Sequence, residues 1–163
     1  MKIEIAKNNK EFKILDNDKI ILKGRKPKWY SPEIQFFYNS KTYELKKKNF
    51  WATSFIILES GQPIGDINWS FKTGSKIILK DKQYWLKTEK VGKWYASDRQ
   101  YILRKNGKTP VLTIHYALKK WKESLEAEFI DKDHANYVLL ACALFVMKQQ
   151  QSAQNSAAAG GFG

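Results

Sequence analysis

From Met1 to Ile130 the chain alternates apolar and polar residues with a period of two. In VLTIHYAL, Leu112, Ile114, Tyr116 and Leu118 share one face, while Val111, Thr113, His115 and Ala117 share the other. In SLEAEFI, Leu125, Ala127 and Phe129 oppose Glu126 and Glu128. The same alternation recurs at Ile3 and Ile5, Phe12 and Ile14, Ile20 and Leu22, and Ile67, Trp69 and Phe71. Successive side chains of a strand point to opposite faces, so this pattern predicts antiparallel strands with one buried and one wet face. Turn-forming residues separate the runs: Asp16-Asn17-Asp18, Asn39-Ser40, Ser60-Gly61, Thr73-Gly74-Ser75, Lys80-Asp81-Lys82 and Asn106-Gly107. Asn106-Gly107 is the strongest of these, because a two-residue type I′ turn needs positive φ at both positions. Counted this way, the chain holds about a dozen short strands.

The period then changes. NYVLLACALFVM, Asn136 to Met147, has no polar side chain after its first two residues. A helix over these positions is apolar on every side and belongs in a membrane or at the centre of a core. Its apolar run spans only roughly 20 Å, whereas a bilayer's hydrocarbon is about 30 Å thick. A seven-residue strand is roughly 23 Å long, which matches. The small consecutive Ala141, Cys142 and Ala143 would let surrounding side chains close in at mid-height. The expected fold is therefore all-β with one C-terminal α-helix: a closed antiparallel barrel of about twelve strands around a central hydrophobic helix. A partly open barrel or a pleckstrin-like sandwich capped by the helix is the alternative, although a cap should keep one polar face. Residues 1–150 read as a single domain with the helix over about 133–150, started by Asp131 or Asp133, and 151–163 as a flexible low-complexity tail.

This order of elements resembles the tubby C-terminal-like superfamily, which includes the LURP-one-related proteins and the phospholipid scramblases. The likeness is carried by ESGQPIGDINWSF (Glu59 to Phe71), by the late strand pair from Lys108 to Ile130, and by DKDHANYVLLACALFVM. It implies a barrel wrapped around a hydrophobic helix, and a lipid-associated role, since the superfamily includes phosphoinositide binders. No ligand residue of those binders and no calcium-loop motif can be matched to positions here.

Charge narrows the classes of partner. There are 29 Lys+Arg against 16 Asp+Glu, a formal net charge of +13, which favours polyanions or serves solubility alone. The single Cys142 excludes an intramolecular disulfide and fits a reducing compartment, and MKIEIAKNNKEF lacks the apolar core of a signal peptide. A cytoplasmic protein, free or peripheral to membrane, is the expectation.

Catalytic signals are sparse. His115 and His134 have no partner at metal-ligand spacing, Cys142 lies inside the apolar helix, and Asp66 and Asp98 are isolated carboxylates. NGKTP, Asn106 to Pro110, lacks the first glycine of a phosphate loop and reads as a hairpin turn. No catalytic residue, metal or cofactor is expected. More informative is lysine beside tryptophan. Lys26 and Lys28 flank Trp29; Lys46, Lys47 and Lys48 run into Phe50 and Trp51; Lys90 and Lys93 precede Trp94; Lys119, Lys120 and Lys122 surround Trp121. Such pairs suit anionic lipid headgroups at a membrane surface, where indole enters the headgroup layer and ammonium meets phosphate. The polyanion-binding set is thus Lys26, Lys28, Trp29, Lys46, Lys47, Lys48, Lys93, Trp94, Lys119, Lys120, Trp121 and Lys122. The same pairing suits single-stranded nucleic acid, and an intracellular protein-binding scaffold is a further alternative. If the rings instead face the core, the lysines are solvated strand residues with no joint role.

Overall fold

The computed structural model describes residues 1–5, 10–27, 32–70, 74–91, 98–119, 122–132 and 136–160. The strands in chain order are β1 (Lys2–Ile5), β2 (Glu11–Asp16), β3 (Lys19–Arg25), β4 (Ile34–Tyr38), β5 (Lys41–Lys47) and β6 (Ser54–Glu59). They continue as β7 (Gln62–Asn68), β8 (Ser75–Leu79), β9 (Lys82–Lys90), β10 (Arg99–Lys105), β11 (Thr109–Lys119) and β12 (Lys122–Phe129), followed by the helix α1 (Tyr137–Gly160). Every strand pairs antiparallel with its sequence neighbours, and β1 closes on β12 to complete a barrel. The closing seam is short: Lys2 and Ile3 face Glu126 and Leu125, and the Ala127 N–H donates to the Met1 carbonyl at 2.9 Å.

The period-two pattern places Ile14, Leu22, Phe36, Leu45, Phe55, Ile57, Ile67, Ile77, Leu86, Leu103, Leu112 and Ile114 inside, all fully or almost fully buried. Leu125, Ala127 and Phe129 are buried as their alternation requires, while Glu126 and Glu128 are exposed. Ile20 departs from the expectation. A register shift between Ile14 and Leu15 makes the partners of this pair Leu22 and Ile20, so Ile21 is an extra residue on β3. The bulge breaks the strict alternation there, and Ile20 is left 41% exposed.

Because the strands run up and down in order, alternate connections collect at opposite ends, and the two ends differ. One, the turn end, carries five tight connections, built on Asn17-Asp18, Asn39-Ser40, Ser60-Gly61, Lys80-Asp81 and Asn106-Gly107; the first four are two residues long and the last, 106–108, is three. All ten of these residues have positive φ, the type I′ condition whose twist matches that of the flanking strands. At Asn106-Gly107 the Lys108 N–H donates to the Lys105 carbonyl at 3.1 Å, which closes the turn. The other, the loop end, is spanned by the longer segments 6–10, 26–33, 48–53, 69–74 and 91–98, together with the 120–121 junction.

α1 enters at the turn end, where Tyr137 packs against Phe129 (5.6 Å between ring centroids) and Tyr38 (5.5 Å). From Val138 to Met147 every residue is buried, and Phe145 meets Phe55 edge-on at 4.7 Å. Asn136 caps the helix: its Oδ1 accepts the Leu139 N–H at 3.0 Å. The expected cap at Asp131 is thereby corrected, since Asp131 precedes the first helical residue by more than a turn and is exposed. Asp133 lies outside the described residues.

The helix is also longer than its apolar run. It is described from Tyr137, and continues to Gly160 through the stretch read from sequence as a tail. Gln and Ala are good helix formers, so a helix already nucleated inside the barrel propagates through them. A polar collar holds it where it leaves at the loop end. The buried Gln150 amide donates to Ser75 Oγ at 2.9 Å and accepts from Thr88 Oγ1 at 3.4 Å. Gln151 donates to the Tyr101 hydroxyl at 3.4 Å, Arg99 donates to Gln154, and Lys148 pairs with Glu123 at 3.1 Å.

Ala141→Leu should show how tightly the barrel holds its axis, because Ala141 has no exposed surface. Urea denaturation should register a loss of about 1–3 kcal/mol, the usual cost of overpacking. Ser152→Leu, on the exposed emergent part of the helix, should stay within about 0.5 kcal/mol of the parent.

Candidate functional site

The strand order brings the described members of the sequence-derived lysine set to one place. Lys26 follows β3, Lys46 and Lys47 end β5, Lys48 follows it, Lys119 ends β11 and Lys122 begins β12. Every one of these positions is at the loop end. Lys28, Trp29, Lys93, Trp94, Lys120 and Trp121 lie outside the described residues. Lys46, Lys47, Lys48 and Lys122 are exposed, and Lys26 is half-buried. Two of them have intramolecular partners: Lys46 with Glu44 at 3.1 Å and Lys48 with Asp66 at 2.8 Å. Exposed pairs of this kind contribute about 0–1 kcal/mol, so they do not lock the ammonium groups away from another anion. Lys10, Arg25 and Lys76 stand at the same end. The helix C-terminus, the negative end of its macrodipole, also points out of this end, and its last turn carries no basic residue.

The 48–53 loop between β5 and β6 is the most fully built feature of that end. The Lys48 N–H donates to the Ser54 carbonyl at 2.8 Å. The Asn49 side chain spans the loop, its Oδ1 accepting the Thr53 N–H at 3.1 Å and its Nδ2 donating to Thr53 Oγ1 at 3.0 Å. The Ala52 N–H donates to the Asn49 carbonyl at 3.2 Å, closing a turn with Phe50 and Trp51 as its central residues. Ala52 turns the chain back with φ at 52°. From β7 onwards Trp69 clamps the loop: its indole N–H donates to the Ala52 carbonyl at 2.6 Å, and its backbone N–H to the Thr53 carbonyl at 3.0 Å. The two rings at the tip are left outside, Phe50 86% and Trp51 79% exposed. They meet each other edge-on at 5.5 Å.

Sequence reasoning quoted Phe50 and Trp51 but did not count them as site residues, and it missed Asn49 and Trp69 as their supports. An asparagine just before two aromatics and just after three lysines was the available signal, since Asn side chains close turns on their own backbone. Which of the six tryptophans clamps and which projects was not readable, because that depends on β7 lying beside β6.

Other reactive groups have structural surroundings. Burial pushes the Cys142 thiol up to about 12, so at neutral pH it is a small apolar core group. His115 is exposed on the outer wall, and His134 lies outside the described residues. Among the described residues no group of three or more His, Cys, Asp and Glu is arranged to hold a metal ion. A compact polar cluster sits at the turn end. There Glu59 accepts from Lys41 Nζ at 3.0 Å and from the Tyr43 hydroxyl at 2.8 Å, with Lys80 at 3.7 Å. The Lys41 hydrogen bond first, then that of Tyr43, holds the Glu59 carboxyl below its usual range. Burial, then the bond to Glu59, pushes Tyr43 up to about 12. Such a ring of mutually satisfied charges ties β5, β6 and the β8–β9 turn together, and it leaves no free base. An open groove of about 660 Å³ runs over the β1–β12 seam, lined by Lys2, Glu4, Asp16, Asp18 and Glu126 among others.

Among the described residues no helix is long and apolar enough to cross a membrane. Comparison of the chain with protein-family models, with curated proteins and with solved structures finds no match.

Two outcomes follow from this geometry. A carboxyl whose folded pKa is depressed adds stability that is complete above its unfolded pKa and lost as pH falls through the folded one. Glu59→Gln should therefore flatten the acid side of a stability–pH profile measured between about pH 5 and pH 3, while a profile as steep as the parent's would refute the role of the cluster. Trp69→Phe, which keeps the ring but removes the donor to Ala52, should cost about 1 kcal/mol and speed hydrogen exchange at the Thr53 and Ser54 amides.

Proposed function

We propose that the chain is a non-enzymatic, tubby-like binding module that docks its loop end on anionic phospholipid surfaces. One observation carries the reading: up-and-down strand order gathers Lys26, Lys47, Lys48, Lys119 and Lys122 at the same end as the exposed Phe50 and Trp51. Each lysine near an anionic bilayer contributes about 1 kcal/mol, so a handful acting together is enough for peripheral attachment. Acidic residues are interspersed with lysines at both ends, Asp16, Asp18, Glu59, Asp81 and Asp131 at the turn end and Glu11, Glu33, Asp66, Asp98 and Glu123 at the loop end. The loop end is therefore set apart by the consecutive Lys46, Lys47 and Lys48 beside the exposed Phe50 and Trp51. Beyond Lys148 the described part of the helix, to Gly160, carries no acidic side chain that would oppose the approach of an anionic surface. The resemblance to the tubby C-terminal-like superfamily supports the same class of ligand.

Vesicle flotation tests the proposal. The chain should float with phosphatidylserine-containing vesicles at low salt and stay behind with neutral phosphatidylcholine vesicles, with binding weakening as ionic strength rises. Lys47→Glu with Lys122→Glu should reduce the partition by about tenfold or more. Equal binding to neutral and anionic vesicles, or none to either, would sink the reading. Salt-dependent retention on single-stranded DNA without vesicle binding would assign the same lysines to a nucleic acid.

A further inference from the structure

We infer that Phe50 and Trp51 form an insertion wedge, which seats two aromatic rings among the lipid headgroups at the acyl boundary once the loop end has docked. The inference rests on the lipid reading and adds an apolar, salt-resistant component to it. Large side chains exposed to this degree gain almost nothing in the isolated chain, where their recorded ring contact is with each other. The loop beneath them is fixed by the Asn49 side chain, by the Asn49–Ala52 turn and by the Trp69 clamp, so its polar contacts face the barrel and the rings face outward.

Among the described residues the other large exposed apolar side chains form no comparable feature. Ile20 and Phe37 lie on β3 and β4, and Ile130 follows β12 at the turn end. Val91, 44% exposed, is the exception: it directly follows β9 at the loop end and adds apolar surface there. What selects a bilayer as the occupant is the immediate neighbourhood. Lys46, Lys47 and Lys48 directly precede the tip, and all three are exposed. With the rings at headgroup depth, their ammonium groups sit at the level of lipid phosphate, and indole prefers that boundary. A tip already held in shape pays little ordering entropy on insertion.

The wedge is tested by comparing the parent chain with Phe50→Ser/Trp51→Ser. Two readouts are needed: the surface-pressure rise of a phosphatidylcholine–phosphatidylserine monolayer, and vesicle sedimentation over increasing salt. Both substituted side chains are exposed, so the thermal midpoint and the far-ultraviolet circular dichroism of the fold should be retained. The parent should raise the monolayer pressure and keep part of its vesicle binding at salt that removes the lysine contribution. The double variant should lose the pressure rise, bind about tenfold to a hundredfold more weakly, and lose its remaining binding fully in salt. A double variant that matches the parent in both readouts overturns the wedge and leaves lipid binding standing. A parent that fails to bind anionic vesicles at low salt removes the lipid reading and the wedge together. Concentration-dependent dimers in sedimentation velocity, abolished in the double variant, would overturn the wedge by assigning the tip to contact with a second copy.

Discussion

Burial of a helix that has no polar face over its first ten residues governs the rest of the architecture. Val138 to Met147 must be surrounded on every side, and a sheet can surround a helix only by closing on itself. Closure favours inward apolar residues at alternate strand positions, interrupted by the bulge at Ile20–Leu22 and by the buried Ser75, and it removes the two exposed edges that an open sheet would present. The consecutive small residues Ala141, Cys142 and Ala143 let the wall approach the axis at mid-height, while Phe145 and Phe55 fill the space where it widens. Gly65 shows how close the packing within the wall becomes, since a Cβ there would lie 2.0 Å from the Ile78 carbonyl oxygen of the neighbouring strand.

The same constraint gives the molecule a direction. An even number of strands in up-and-down order leaves β12 finishing at the turn end, so the helix has to enter there and leave at the loop end. Tight type I′ turns finish the entry end with little projecting chain. Every longer strand-to-strand connection is therefore at the exit end, with the lysines that flank it, and only the 130–136 segment that leads into the helix crosses the entry end. Gln150, Gln151, Gln154 and Lys148 mark the level at which the helix passes from core to surface, because each satisfies a strand side chain at the rim. The two ends differ in connection length: one is closed by tight turns, and the other carries the longer strand-to-strand loops on which the proposed contact rests.

The barrel and its axis were legible in the sequence because two local signals agreed. Period two in the strands and the absence of any period in the helix admit few shared solutions, and the length of the apolar run excluded a bilayer span. Features that depend on a neighbour were not legible. Asn136 rather than Asp131 caps the helix because the cap is decided by where the chain enters the barrel mouth. Gln151 to Gly160 read as a tail because its helicity is inherited from the packed segment before it. At the candidate site the lysines were visible as runs, and their convergence follows from strand count alone. The separate duties of Trp51, exposed, and Trp69, clamping, required the β6–β7 pairing.

The proposed membrane contact depends on which of two terms dominates, and the loop geometry favours a division of labour. Lysines with intramolecular partners, such as Lys46 and Lys48, supply a diffuse attraction that salt screens over about 10 Å at 0.1 M. That term brings the loop end to an anionic surface and orients it, without fixing depth. Apolar insertion is short-ranged and insensitive to salt, and it acts only on groups already in contact with the interface. A pair of rings on a flexible loop would lose much of that gain to ordering. The hydrogen bonds from Asn49 and Trp69 hold the Phe50–Trp51 turn in place before any contact is made. In the proposed contact the two terms would therefore act in sequence, with charge setting the approach and the tip setting residence.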